Sequence, residues 1–198
     1  RAYERAGVAA IHIEDQQWPK RCGHLQGKTL IPAAEMAAKV RAASDAREDK
    51  DFVVIARTDA VSVEGFERAL DRGRLYEEAG ADMIFIEAPN TPDQLAAVPR
   101  SFRVPTLFNM ASSGKTPFLS AEEIQKLGFK VVIYPNFMLL AAVTAARSVL
   151  QELKRTGSIA DVAKRVTSFT ELFDLVGMRE VQELEERYGV ADDARARY

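Results

Sequence analysis

The chain has little of what metal cages, disulfide scaffolds and nucleic-acid binders require. Its 198 residues include one cysteine, two histidines and one tryptophan. A single cysteine excludes an internal disulfide framework and points to a reducing, cytoplasmic setting. One cysteine and two histidines, without a Cys-x-x-Cys pair, do not build a structural zinc site. The formal net charge is −2 and there is no long basic run, so binding to a nucleic-acid phosphate backbone is not expected. No apolar run approaches the roughly 20 residues that cross a bilayer. The N-terminus, Arg1-Ala2-Tyr3-Glu4-Arg5, lacks the basic-then-apolar layout of a secretory signal.

What remains is an ordinary globular composition, 47% hydrophobic and 28% charged. Short β-branched runs alternate with longer helical stretches. Strands are expected at Val8–Ile13, Phe52–Ala56, Met83–Ile86, Pro105–Phe108 and Val131–Tyr134. They are short and apolar on both faces, as in a parallel sheet covered by helices. Helices are expected at Ala33–Arg47, Val63–Ala79, Pro92–Val98 and Ser120–Leu127, where apolar residues recur at three- and four-residue spacing. Ser120 with Glu123 three positions on forms a capping box. Beyond Tyr134 the pattern is all-helical: Asn136–Arg155, Ile159–Val166, Ser168–Phe173 and Met178–Tyr188. The helix from Asn136 is apolar on most faces, so broad burial against a barrel or another subunit is expected. The tail Asp192–Tyr198 is polar.

A helix end, a glycine and a strand recur at Ala6-Gly7, Ala79-Gly80 and Leu127-Gly128. Such repeats predict an α/β fold of the (β/α)8, TIM-type barrel class. A doubly wound sheet is the competitor, but no glycine-rich dinucleotide loop follows any strand. A whole barrel takes about 250 residues. Five strands, and a first residue other than Met inside a helical pattern, predict an N-terminally truncated part of that barrel. Its domains are expected at 1–135, a partial barrel carrying the active-site loops, and 136–198, helices that cover the barrel.

In a barrel the chemistry sits at the C-terminal strand ends. Here those ends read Glu14-Asp15, Arg57-Thr58-Asp59, Glu87, Asn109 and Tyr134-Pro135-Asn136. The set suits a hard divalent cation and a carboxylate-bearing substrate. Glu14 is a candidate metal ligand, with helix capping as its alternative. Arg57 directly follows an apolar run and needs a carboxylate partner, either a substrate's or that of Asp59 or Glu87. Asn109 is a site residue or a turn former. His12, inside a strand, is expected to be a packed core histidine. Cys22 stands in a polar segment beside Lys20, Arg21 and His24, where cations favour a reactive thiol. It lies eight positions after Glu14, so the two are expected to serve one site.

These residues resemble the isocitrate lyase / phosphoenolpyruvate mutase superfamily. Lys20-Arg21-Cys22-Gly23-His24 looks like its active-site loop. Ile13-Glu14-Asp15-Gln16, Gly27-Lys28, Ala56-Arg57-Thr58-Asp59-Ala60, Ala79-Gly80-Ala81-Asp82, Glu87-Ala88, Gly114-Lys115-Thr116-Pro117 and Tyr134-Pro135 agree in order. The likeness is nearest to the short lyases acting on 2-methylisocitrate or 2,3-dimethylmalate. It implies a Mg²⁺-dependent (Mn²⁺ possible) carbon–carbon lyase that cleaves a 2-hydroxy di- or tricarboxylate by retro-aldol chemistry. It also implies a homodimer or homotetramer with helix exchange. By the same resemblance Cys22 is catalytic, Gly23, His24, Arg57, Glu87 and Asn109 bind substrate, and Glu14 belongs to the metal shell. The superfamily's paired metal-binding aspartates have no counterpart here, so metal binding by this chain alone is expected to be weak. Ser112 stands where many short lyases carry a glutamate. The alternatives are a phosphonomutase or carboxyphosphonoenolpyruvate mutase type of P–C enzyme, or an inactive chain that only binds partners.

Overall fold

The computed structural model describes residues 1–23, 27–112 and 116–189. The chain forms two compact units, Arg1–Phe137 and the residues from Met138 on. In the first unit the elements run α1 (Ala2–Arg5), β1 (Ala10–Glu14), α2 (Ala33–Ala46), β2 (Val53–Thr58), α3 (Phe66–Glu78), β3 (Met83–Ile86), α4 (Pro92–Arg100), β4 (Thr106–Asn109), α5 (Ala121–Leu127) and β5 (Val131–Ile133). The second unit is helical. It holds α6 (Phe137–Thr156, whose first residue belongs to the first unit), α7 (Ala160–Ala163), α8 (Phe169–Leu175) and α9 (Met178–Arg187). No helix among the described residues is long and apolar enough to cross a membrane.

The five strands lie in the order β1-β2-β3-β4-β5, all parallel. A doubly wound sheet reverses its order at a switch point, and this one does not. The two faces of the sheet are buried differently. Ala56, Ile84, Ile86 and Phe108 pack against helix residues such as Met36, Val40, Leu70, Tyr76, Leu95 and Ile124. The alternate residues Ile55, Phe85 and Leu107 pack with Ala10, Val53, Met83 and Ile133, all from strands. A sheet with helices outside and its own side chains inside is a curled arc of a TIM-type (β/α) barrel, in line with the expected fold class.

Local chemistry explains the element ends. Ser120 and Glu123 close the expected capping box of α5, and Gly128 ends that helix in the left-handed region at φ 109°. Gly73 lies on α3 where a Cβ would come 2.6 Å from the Phe102 ring and 3.3 Å from Ile84, so α3 approaches the sheet closely only with glycine there.

Several expectations differ from the structure. β1 begins at Ala10 rather than Val8, because Gly7 (φ 80°) turns the chain and the Val8 amide still bonds back to Tyr3. β2 continues two residues past Ala56, since Arg57 and Thr58 find buried polar partners that hydropathy does not register. α3 starts at Phe66 rather than Val63: a short 3₁₀ turn at Ala60–Ser62 precedes Gly65, which has φ 94°. His12 is not a packed core residue. Strand alternation puts it on the inner face with Ala10 and Glu14, where its side chain is accessible. α6 has no buried residue, and Met138, Leu139, Leu140, Val143, Leu150 and Leu153 are all exposed.

Candidate active site

Register places the site. Glu14 on β1 lies beside Arg57 on β2. The Glu87 amide donates to the Thr58 carbonyl, which sets Glu87 just past the end of β3. Asn109 ends β4. Four neighbouring strands thus deliver their last polar side chains to one rim.

Arg57 is the hub. Its Nε and Nη2 donate to Asp59 Oδ2 and Oδ1 at 2.9 and 3.1 Å. Its Nε lies 3.3 Å from Glu14 Oε2, and its Nη2 3.5 Å from Glu87 Oε1. The guanidinium carbon also stands 4.9 Å from the centre of the Phe85 ring. Burial alone would lower the Arg57 pKa, but the hydrogen bonds to Asp59 and the charges of Glu87 and Glu14 raise it, so the cation is fixed. Asn109 Nδ2 donates to both Glu87 oxygens, at 3.3 and 3.2 Å. Glu14 also meets Lys20 Nζ at 3.4 Å. Two buried oxygens on this rim, Glu14 Oε2 and Asn109 Oδ1, accept no hydrogen bond. Below the rim, His12 packs edge-on to Phe85 with ring centres 6.2 Å apart. Partial burial, then the Arg57 charge, holds its pKa below the ordinary 6.5, so it is neutral at pH 7.

The thiol segment reaches this rim from β1. Its neck is closed by an antiparallel bridge between Gln16 and Leu30, and by a 2.8 Å bond from the Gln17 amide to the Thr29 carbonyl. The Gln16 side chain donates to the Arg21 carbonyl and accepts from the Arg21 amide, both at 2.8 Å. Gly23 is buried on the Arg57–Glu87 pair: a Cβ there would overlap the Glu87 carboxylate and lie 2.6 Å from Arg57 Nη2. Cys22 is a free, exposed thiol one residue before that contact. His24 lies outside the described residues. The structure therefore brings together Glu14, Arg57, Glu87, Asn109 and Gly23, with Cys22 on the adjoining accessible backbone.

Asp15 has a different task from its neighbour Glu14. It points to the helix side, fully buried, and accepts from Thr58 Oγ1 (2.6 Å), Tyr76 Oη (2.8 Å), the Asp59 amide (3.0 Å) and Arg72 Nη1 (3.3 Å). Tyr76 is held protonated: burial, then the nearby Asp15 charge, raises its pKa. This cluster ties β1, β2 and α3 together beneath the rim. Sequence reasoning named Asp59 only as a possible partner of Arg57 and Lys28 only within a motif, and it gave Arg72 and Tyr76 no part in the site. The need of a buried arginine for a local counter-ion pointed to Asp59, whereas no local signal marked Arg72 or Tyr76, whose partner Asp15 is remote in sequence.

Mg²⁺ takes six near-octahedral oxygen ligands, several of them commonly water. Among the described residues no group of three His, Cys, Asp or Glu side chains could hold a metal ion. Glu14 Oε2 accepts no hydrogen bond but is ion-paired with Arg57 at 3.3 Å, and Asp59 and Glu87 are committed to Arg57 and Asn109. The described residues do not fit a protein-built magnesium cage.

Fold and rim together define a class: a parallel (β/α)-barrel protein with a charged polar site at its C-terminal strand ends. The chain belongs to the phosphoenolpyruvate phosphomutase family, whose model matches residues 1–154. It is 40% identical over 188 residues to 2,3-dimethylmalate lyase of Eubacterium barkeri, covering 95% of this chain and 65% of that protein. It is 43% identical over 182 residues to 2-methylisocitrate lyase of Aeropyrum pernix, covering 92% and 58%. The chain thus spans less than two thirds of the length of these curated relatives. A crystal structure of 2,3-dimethylmalate lyase, a member of the PEP mutase/isocitrate lyase superfamily, superposes with a TM-score of 0.89 at 38% identity, over 99% of this chain and 66% of that one. A phosphonopyruvate hydrolase complex with oxalate and Mg²⁺ superposes with a TM-score of 0.80 at 37% identity, over 94% and 65%.

Proposed function

We propose that this chain carries the thiol half of a carbon–carbon lyase site acting on a 2-hydroxy di- or tricarboxylate of the 2-methylisocitrate or 2,3-dimethylmalate type. The observation that carries this reading is the seat of Gly23 on the Arg57–Glu87 pair, which holds the Cys22 backbone at a rim of carboxylate, guanidinium and amide groups. The two lyases among the relatives support the same chemistry.

The residues then divide the work. The fixed Arg57 cation is the group that would receive a substrate carboxylate, beside the Gly23 backbone; His24, outside the described residues, is assigned to the substrate by the resemblance alone. Glu87 and Asn109 accept and donate to the remaining substrate oxygens. Loss of the hydroxyl proton lets the C2–C3 bond break, leaving an α-keto acid and a carboxylate-stabilised carbanion. The Cys22 thiol gives its proton to that carbon, the substrate hydroxyl proton leaves to solvent water, and the thiolate takes one proton back from solvent, so the protons balance. The described residues alone do not hold magnesium; Glu14 is the rim carboxylate that would stand nearest to such an ion.

The exposed apolar residues of α6 support a further part of the reading, helix exchange in a dimer or tetramer. Light scattering of the chain tests it, and a monomer at micromolar concentration refutes it. A second chemistry is favoured by the family match and by the phosphonopyruvate hydrolase fold: cleavage or rearrangement of a P–C bond. Incubation with 2-methylisocitrate, 2,3-dimethylmalate and phosphonopyruvate in the presence of Mg²⁺ separates the two. Pyruvate formed from the hydroxy acids is the expected result. Turnover of phosphonopyruvate alone would overturn the lyase reading.

A further inference from the structure

Lys28 is buried, its side chain 2% exposed, although an ammonium is among the costliest groups to take out of water. Its partners explain its position. Nζ donates to the carbonyl of Gly23 and lies 3.7 Å from Asp59 Oδ1. Asp59 is itself the bidentate partner of Arg57 and is 1% exposed. One buried carboxylate is therefore shared by two cations, one on the thiol segment and one on the rim.

On the other side of the thiol, the Gln16 side chain pairs with both backbone groups of Arg21. Cys22 sits between two clamped residues, Arg21 before it and Gly23 after it. The Gly23 clamp is the charged one, and hydrogen bonds from charged donors are stronger than neutral ones. If Gly23 rose from the Arg57–Glu87 pair, Lys28 would lose its carbonyl acceptor and keep only the 3.7 Å ion pair.

We infer that Lys28 is a positioning residue: its ammonium, anchored by Asp59, holds the Gly23 carbonyl and so fixes the backbone that carries the Cys22 thiol beside the Arg57–Glu87 pair. It touches no reacting atom and acts through the backbone of the thiol segment. Placement of the thiol and the ion pairing of Arg57 are thereby coupled through Asp59.

Hydrogen exchange of the full chain tests this without any turnover. In Lys28→Met, backbone amides over Arg21–Gly23 are expected to exchange about tenfold faster or more, the loss of one charged hydrogen bond, while amides of α3 keep their wild-type rates. Unchanged exchange at Arg21–Gly23, or equal acceleration in α3, would overturn the inference, because Lys28 would then either hold nothing there or hold the whole fold. If Lys28→Met does not fold, the milder Lys28→Gln is read by the same two criteria. A kinetic arm rests on the lyase reading above: kcat of Lys28→Met is expected to fall by about 100-fold with KM changed far less. Equal loss through KM would point to substrate binding and contradict a role in placing the thiol. If no hydroxy acid is turned over by the wild type, the exchange arm still decides the positioning role, while the lyase reading fails separately.

Discussion

Replacing Gly23 with alanine is the sharpest perturbation of the candidate site. The added Cβ would overlap Glu87 Oε1 and stand 2.6 Å from both Glu87 Cγ and Arg57 Nη2. Neither neighbour is free to yield. Glu87 is 2% exposed and receives both bonds from Asn109, while Arg57 is pinned by Asp59. The backbone at 23 must therefore lift by about 1 Å to restore ordinary contact. Because the move is confined to a connecting segment, the stability cost is expected to stay near 1 kcal/mol, the low end for overpacking. A 1 Å displacement of a reacting group, by contrast, costs about 100-fold in rate. The assay is steady-state release of the α-keto acid beside urea unfolding, and Trp18, the single exposed tryptophan, reports the segment by its fluorescence. Near-wild-type kcat in a folded Gly23→Ala protein would refute the reasoning, since it would mean the segment has no need to seat on the Arg57–Glu87 pair.

Other outcomes follow from the same geometry. Tyr76→Phe removes a 2.8 Å donor from the buried Asp15 carboxylate and is expected to lower unfolding free energy by about 2 kcal/mol in urea denaturation; a change under about 0.5 kcal/mol would contradict the Asp15 cluster as a tie between β1, β2 and α3. Gly73→Ala places a methyl group 2.6 Å from Phe102 and should cost about 1–3 kcal/mol, against the gain normally expected for alanine in a helix; a more stable variant would refute the close approach of α3. The His12 imidazole should titrate below 6.5 by NMR, assigned against a His12→Gln variant. Because its pKa is depressed on folding, protonation favours the unfolded chain, so stability is lost as pH falls from 6.5 toward the folded value. A midpoint above 6.5 would contradict the burial and the Arg57 charge that act on it.

The strands were legible in the sequence because each is a short apolar run; a glycine turn precedes β1, β3 and β5, and β1, β2 and β3 run into a charged residue. Met83–Ile86 and the capping box at Ser120 emerge as read. The rim was legible for a related reason: in a parallel barrel the residue after the last apolar position stands at the end of the strand where sites are built, and Glu14, Arg57, Glu87 and Asn109 all occupy it. The sequence was silent where partners are remote. Nothing local marks Asp15 as a helix-side anchor rather than a second rim acid, because its donors Arg72 and Tyr76 come from α3, far along the chain. Lys28 reads as one more loop lysine until the Gly23 carbonyl and Asp59 surround it. His12 was misread because an apolar neighbourhood in sequence does not say which face of β1 is covered. The apolar helix from Asn136 has no buried residue in the single chain, so in the proposed reading the burial its composition calls for rests with another subunit, the second alternative the sequence offered.

Substitution of the only thiol tests the central claim most directly. Cys22→Ser, assayed with 2-methylisocitrate and 2,3-dimethylmalate beside the wild type, should lose turnover by about 100-fold or more while equilibrium binding of substrate is retained. Wild-type release of pyruvate by Cys22→Ser would contradict the account, because the carbanion would then draw its proton from some other group.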